Sequence, residues 1–150
     1  YYANLSEADT GRDAGLEAWC LYVLAGIRDE LQKVDRLTHY DYLRDKILRP
    51  ALALSRERRW LNDAELQVLT MAIHKGEFKA VDVDNVLPDL TPRQRTYLIA
   101  KLNDQHMIAP VREGARTYTI SFTNNYLLRG VIHALERQGF IPPFVKSADV

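Results

Sequence analysis

The chain has 150 residues, enough for one domain with a real core or for a small domain with a helical attachment, and too few for two full-sized domains. Its 20 basic and 20 acidic side chains cancel, so no overall charge draws it to nucleic acid or to an anionic membrane. A single cysteine excludes a disulfide framework, and no apolar run approaches the roughly 20 residues of a membrane span.

These properties predict a cytoplasmic protein with no membrane partner. The first residue is Tyr1 rather than Met, which we interpret as a sign that the chain was cut from a longer protein.

The N-terminal region is expected to contain the end of one element over residues 1–5, a polar loop over residues 6–15, and then a long amphipathic helix. Apolar residues recur there at spacings of three and four: Leu16, Trp19, Cys20, Val23, Leu24, Ile27, Leu31 and Val34. A lone helix of this kind is only marginally stable in water. We therefore expect the apolar face of this helix to be covered. A second copy of the chain in a symmetric dimer is the simplest cover, and packing of the helix onto the rest of the same chain is the alternative.

The same region carries the segment YYANL, a loop, and the helical segment WCLYVLAGI, which has Val23 where the pattern W-x-x-[aromatic or apolar]-F-L-x-G-I has Phe. The matching residues are Tyr1, Tyr2, Leu5, Trp19, Tyr22, Val23, Leu24, Gly26 and Ile27. Over about a quarter of the chain, residues 1–36, they resemble the last part of a Fic domain. The resemblance implies a parent protein that transfers AMP from ATP, with Mg²⁺, to a protein hydroxyl, and it makes the rest of the Fic domain a partner.

The family motif for that chemistry, HPFxxGNGR, occurs nowhere in this chain. His39, His74, His106 and His133 all lack its Pro-Phe and Gly-Asn-Gly surroundings. The chain therefore has no predicted catalytic residue and no cofactor of its own. Metal ligands are not predicted either, because the histidines are far apart and no second cysteine exists.

Residues 38–59 are predicted to form a helical connector. Thr38 and Asp41 make a capping signature, and Pro50 predicts either a kink near Arg49 or a new helix that begins at Pro50. The apolar positions are Tyr42, Leu43, Ile47, Leu48, Leu52 and Leu54. We interpret the basic run at residues 56–59 as the solvated end of this helix rather than as a binding patch.

The remaining residues follow the order helix, short strand, helix, helix, strand, wing and strand, which is that of a winged helix-turn-helix. Asn62 or Asp63 caps the first helix, which ends at Gly76; a strand over residues 78–83 and a helix over residues 84–87 follow. Thr91, Pro92 and Gln94 begin the third helix.

Two strands, residues 108–112 and 116–122, flank the loop Glu113-Gly114-Ala115. A last helix begins at Thr123 or Asn124 and ends at Gly139; residues 141–144 are extended and residues 146–150 loose. The predicted fold is thus mainly α with a small antiparallel β-wing. Residues 1–60 form Fic-like terminal helices and a connector, and residues 61–150 form the winged helix-turn-helix domain.

The third helix and the wing carry residue types that contact DNA: Arg93, Arg95, Thr96, Lys101, Asn103, Arg112 and Arg116. Asp104 and Glu113 interrupt this surface, and weak phosphate contacts predict weak duplex binding. Our first hypothesis is therefore a non-catalytic regulatory or assembly region of a Fic-type AMP transferase. A winged-helix DNA-binding module of a transcription-regulator-like protein is the alternative.

Overall fold

The computed structural model describes residues 1–123 and 126–142. They are mainly helical, with one small antiparallel sheet, as predicted. The chain divides into two compact units, Tyr1–Tyr40 and Asp41–Val150. The predicted division lies at residue 60, whereas the observed one places residues 41–60 in the second unit.

The first unit consists of α1 (Tyr2–Ala8) and α2 (Asp13–Thr38). The predicted loop over residues 6–15 is mostly wrong, because both helices extend into it and leave only residues 9–12 between them. The helices approach closely at Gly15, where a Cβ atom would lie 2.5 Å from the carbonyl oxygen of Glu7. Ala8 and Gly15 are the only buried residues in this unit, so the unit has almost no core.

The predicted long helix is confirmed as α2, whose 26 residues span about 39 Å at 1.5 Å per residue. The predicted capping signature at its end is wrong. Thr38 belongs to the last turn of α2, and its hydroxyl donates to the carbonyl oxygen of Asp35 at 2.7 Å. Asp41 pairs instead with Arg44, at 2.8 Å.

The connector begins with one helical turn, α3 (Tyr40–Tyr42), and a π-helical segment, Leu43–Leu48, and continues as α4 (Arg49–Glu57). Pro50 lies in the first turn of α4. The backbone stays in the right-handed helical region at Leu48 and Arg49, so the π-helical segment continues directly into α4. The predicted new helix at Pro50 is therefore wrong, because α4 begins at Arg49 without a break in the helix.

A winged helix-turn-helix follows, as the element and sheet orders confirm. Its helices are α5 (Asp63–Lys75), α6 (Ala80–Val86), α7 (Pro92–Asp104) and α8 (Tyr126–Arg137), and its strands are β1 (Glu77–Lys79), β2 (Ile108–Pro110) and β3 (Thr117–Ile120). The strands pair antiparallel in the order β1-β3-β2, with Phe78 opposite Tyr118 and Ala109 opposite Thr119.

Local capping explains where most of these helices begin. Asn62, one of the two predicted caps, forms a reciprocal capping box with Glu65 at α5, and Thr91 and Gln94 form another at α7, where the helix was predicted to begin. β1 is shorter than predicted because the Asp82 carboxylate accepts from the Lys79 backbone N–H at 2.7 Å, so that α6 begins at Ala80.

At the C-terminal end, Gly139 adopts a φ of +74° just after α8, as expected of a helix stop. The predicted cap at Asn124 and the calls on residues 143–150 lie outside the described residues.

The core of the second unit lies between the sheet and the helices that cover it. Its largest fully buried side chains are Phe78, Ile47, Leu52, Leu61, Leu69, Ile73, Leu102, Met107, Ile108, Leu127, Val68 and Val83. The connector belongs to this core because α4 packs against α8, where a Cβ atom on Gly130 would lie 2.7 Å from the Ala51 carbonyl oxygen. None of the described helices is long and apolar enough to cross a bilayer.

Candidate nucleic-acid interface

Helix α7 exposes to solvent the side that carries most of its predicted DNA contacts. Leu98, Ile99 and Leu102 are buried, whereas Arg93, Thr96 and Ala100 are exposed and Asn103 is half-buried. Tyr97 is 71% exposed. The outer surface of α7 therefore carries both polar side chains and an aromatic ring.

Arg95 is the first predicted DNA contact that the structure holds in an ion pair. Its guanidinium forms an ion pair with Asp84 of α6, and its Nε donates to the Leu90 carbonyl oxygen at 3.1 Å. The side chain is 21% exposed. Arg95 thus fastens the turn between α6 and α7, and its charge is already compensated.

Lys101 is the second predicted DNA contact that the structure holds in an ion pair. Its ammonium lies 2.6 Å from Oε1 of Glu65, whose side chain is only 4% exposed. The Glu65 Oε2 atom accepts from the backbone N–H of Asn62 at 2.8 Å. The hydrogen bond with Glu65 raises the pKa of Lys101 above its ordinary value of 10.5. This ion pair ties α7 to the first turn of α5.

The wing holds Arg112 and Arg116, which are both exposed. The loop between β2 and β3 closes through hydrogen bonds from Val111 N to Thr117 O at 3.0 Å and from Ala115 N to Arg112 O at 2.9 Å. Gly114 adopts a φ of +72° at its tip, a conformation that favours glycine. Within residues 1–123 and 126–142, Arg112, Arg116 and Arg93 form no ion pair, so their charges face solvent.

A groove of about 510 Å³ runs between α7 and the wing strand. It brings together three of the predicted residues, Thr96, Asn103 and Arg116. The Thr96 hydroxyl is turned back onto the helix, where it donates to the Pro92 carbonyl oxygen at 3.0 Å. Asp104 also lines the groove and adds a negative charge to it. The groove is therefore mixed in charge rather than basic, and its other lining residues are Ala80, Ile99, Ala100 and Tyr118.

The apolar face of α2 is a second candidate surface, in the other unit. Its exposed members are Leu16, Leu21, Tyr22, Val23, Leu24, Ile27, Leu31 and Val34, and Cys20 is exposed as well. A shallow cleft of about 590 Å³ follows this face from Tyr22 to Val34. Trp19 is half-buried, and its ring meets Tyr1 edge-on at 5.4 Å.

A third cluster, at the junction of α4 and α5, was missed from the sequence. The Trp60 ring stacks on Tyr126, with ring centres 5.4 Å apart. The guanidinium carbons of Arg58 and Arg129 lie 5.8 and 6.0 Å from the centre of the Trp60 ring. The run RERRW was visible, but its interpretation as a helix end did not include Tyr126 and Arg129, which are distant in sequence.

No group of three or more His, Cys, Asp or Glu side chains that could hold a metal ion occurs within residues 1–123 and 126–142. No protein-family model matches the chain, and no curated protein matches it. Among solved structures, the YusO protein from Bacillus subtilis is similar over 81% of this chain and 85% of that chain, with a TM-score of 0.39 and 17% identity. A likeness this distant carries no information on function.

Proposed function

We propose that this chain is a non-catalytic regulatory or assembly region of a Fic-type AMP transferase, with residues 1–40 supplying the assembly surface. The open apolar face of α2 carries the proposal. A 26-residue helix with eight large apolar side chains between 37% and 63% exposed has little to hold it in water. Full burial of each Leu, Ile or Val contributes about 1.5–3 kcal/mol, so covering this face is strongly favourable.

The pattern of the face favours a second copy of the chain as its cover. Cys20, Leu24, Ile27, Leu31 and Val34 are separated by alternating steps of four and three, which is the spacing of a coiled-coil seam. A two-fold axis places the same seam on both partners, and two-fold pairing is the commonest closed assembly. In the parent enzyme, the rest of the Fic domain offers an alternative cover for the same face.

Light scattering at micromolar concentration tests this proposal. We expect the mass of a dimer for the wild type and the mass of a monomer for the double variant Leu24→Ser/Leu31→Ser. Val81→Ser is the matched control, because Val81 is 64% exposed on α6, and it should leave the dimer intact. A wild type that remains monomeric, with Trp19 protected from a collisional quencher, would show that the face is covered within one chain.

The enzymatic part of the proposal rests on the resemblance of residues 1–36 and has a separate test. We expect the gene to encode an HPFxxGNGR motif upstream of Tyr1, and the chain alone to transfer no label from ATP in the presence of Mg²⁺. An upstream sequence without that motif would remove the Fic assignment and leave the assembly surface untouched.

A DNA-binding module is the second candidate function. The observation that favours it is the set of uncompensated guanidinium groups of Arg93 on α7 and of Arg112 and Arg116 on the wing. Arg95 and Lys101 are no longer among the contacts we propose, because both are held in ion pairs. With fewer cations, the affinity for duplex should be low and strongly dependent on salt.

Titration of labelled duplexes at two salt concentrations tests this candidate. Arg93→Ala should weaken binding by roughly 1–3 kcal/mol in a sequence-dependent manner if it contacts a base edge. Arg116→Ala should weaken binding equally for all sequences and reduce the salt slope. Undetectable binding at low salt would eliminate this function.

A further inference from the structure

The Trp60 cluster consists of Arg58, Arg59, Trp60, Tyr126 and Arg129. The backbone N–H of Trp60 donates to the Ser55 carbonyl oxygen at 2.9 Å and fixes the start of the cluster at the end of α4. The Tyr126 ring lies nearly parallel to the Trp60 ring, at an angle of 26°. Two guanidinium groups rest against the same indole, which limits their freedom and leaves their N–H donors accessible.

The positive charges of this cluster are not compensated by the protein. Arg58, Arg59 and Arg129 are exposed, and none of them forms an ion pair with a residue in the described part of the chain. The neighbouring Arg56, by contrast, lies 2.6 Å from Asp63. Two uncompensated guanidinium groups, those of Arg58 and Arg129, thus lie against one indole ring, and Arg59 adjoins them in sequence, in a chain whose total charge is zero.

The backbone of Arg59 lies in the left-handed region. It adopts a φ of +59°, and the hydrogen bonds from Arg59 N to Arg56 O and from Trp60 N to Ser55 O are those of a Schellman motif. Glycine is the usual residue at this position, because a side chain in the left-handed region costs about 1–2 kcal/mol. The motif ends α4 and places Trp60 two residues after Arg58.

We propose that the Trp60 cluster is a binding site for the phosphate backbone of a nucleic acid. Guanidinium groups suit phosphate because their paired N–H donors match two oxygens of the anion. A single exposed ion pair contributes little, so a useful ligand must present several anions close together. Arg58 and Arg129 lie within about 12 Å of each other, a distance that covers several charges of a duplex with one charge per about 1.7 Å of axis.

This site lies outside α7 and the wing and does not depend on the assembly role of α2. It also differs from our sequence interpretation, in which the basic run was only the solvated end of a helix. The basic run does follow the end of α4. In addition, Trp60 stacks on Tyr126 and brings the guanidinium groups of Arg58 and Arg129 to the same ring.

Fluorescence anisotropy of a labelled 24-base-pair duplex with the full chain tests the proposal. For the double variant Arg58→Gln/Arg129→Gln we expect about tenfold weaker binding at low salt and a salt slope reduced by about two, as for two lost phosphate contacts. Arg12→Gln/Arg36→Gln is the matched control, since it removes the same charge from exposed positions in residues 1–40. It should change neither quantity.

Two further variants separate binding from folding and from α7. Arg59→Gly should raise the melting temperature, because it relieves the left-handed backbone, and still weaken binding. Arg93→Ala reports on α7 alone. Unchanged affinity and salt slope in the cluster variants would overturn the phosphate site, even if Arg93→Ala weakens binding. Binding of polyglutamate as tight as that of the duplex, or no binding of the duplex at all, would overturn it as well.

Discussion

The two units of this chain contain amphipathic helices of the same kind, and only one unit has a core. In residues 41–142, short strands and tight turns bring α4, α5, α7 and α8 together, so that side chains such as Phe78 and Leu102 are fully buried. In residues 1–40, two helices meet near Gly15, and Leu24 and Leu31 remain more than 60% exposed. Helical periodicity therefore predicts a helix in both units, but it does not show what will cover its apolar face.

Truncating matched apolar side chains in the two units should produce the largest contrast. Phe78 is 1% exposed and contacts Tyr118, with ring centres 5.9 Å apart. Phe78→Ala should lower the free energy of unfolding of the second unit by about 3–5 kcal/mol. Leu31→Ala should change it by less than about 0.5 kcal/mol, because Leu31 is 63% exposed.

Urea unfolding followed by tryptophan fluorescence measures both values. Equal losses for the two variants would mean that α2 contributes to the same cooperative core, and the contrast between the units would then be false.

Glycine substitutions in α8 and in α2 test where the boundary between the two units lies. Gly130→Ala should destabilise the second unit by about 1–3 kcal/mol, because the new methyl group would meet backbone atoms of Ala51 at 2.7–2.9 Å. Gly26→Ala in α2 meets no atom within 4 Å and should increase helicity, with a gain of up to about 1 kcal/mol.

Thermal unfolding followed by circular dichroism distinguishes the two outcomes. If Gly130→Ala left stability unchanged, the close packing of α4 on α8 would not hold the connector, and the boundary at residue 40 would lose its support.

Much of the second unit could be predicted because its signals are local. The capping boxes of Asn62 with Glu65 and of Thr91 with Gln94 span three residues each, and Gly76 and Gly139 end helices directly. The candidate site was harder to predict. Nothing near Arg95 or Lys101 in the sequence shows that Asp84 and Glu65 would neutralise them, because these ion pairs form only when α5, α6 and α7 pack together.

The smallest expected effect concerns the Lys101–Glu65 ion pair at alkaline pH. Glu65 raises the pKa of Lys101 in the folded state, so the folded protein holds this proton more tightly than the unfolded chain does. The resulting stability is fully present below about pH 10 and is lost as the pH rises through the raised pKa. Lys101 is 37% exposed, so solvent reduces the size of the effect.

Urea midpoints measured between pH 8 and pH 11.5 should therefore fall more steeply for the wild type than for Lys101→Met. Parallel curves for the two proteins would contradict an energetic role for this pair.

Hydrogen exchange of α2 amides as a function of protein concentration tests the central claim most directly. If residues 1–40 depend on assembly for their stability, protection of α2 should rise with concentration from nanomolar to high micromolar, whereas protection of α5 and α7 should stay constant. The Leu24→Ser/Leu31→Ser variant should show weak protection of α2 at every concentration. Strong protection of α2 in the wild type at the lowest concentration would contradict the account, because the helix would then be stable without a partner.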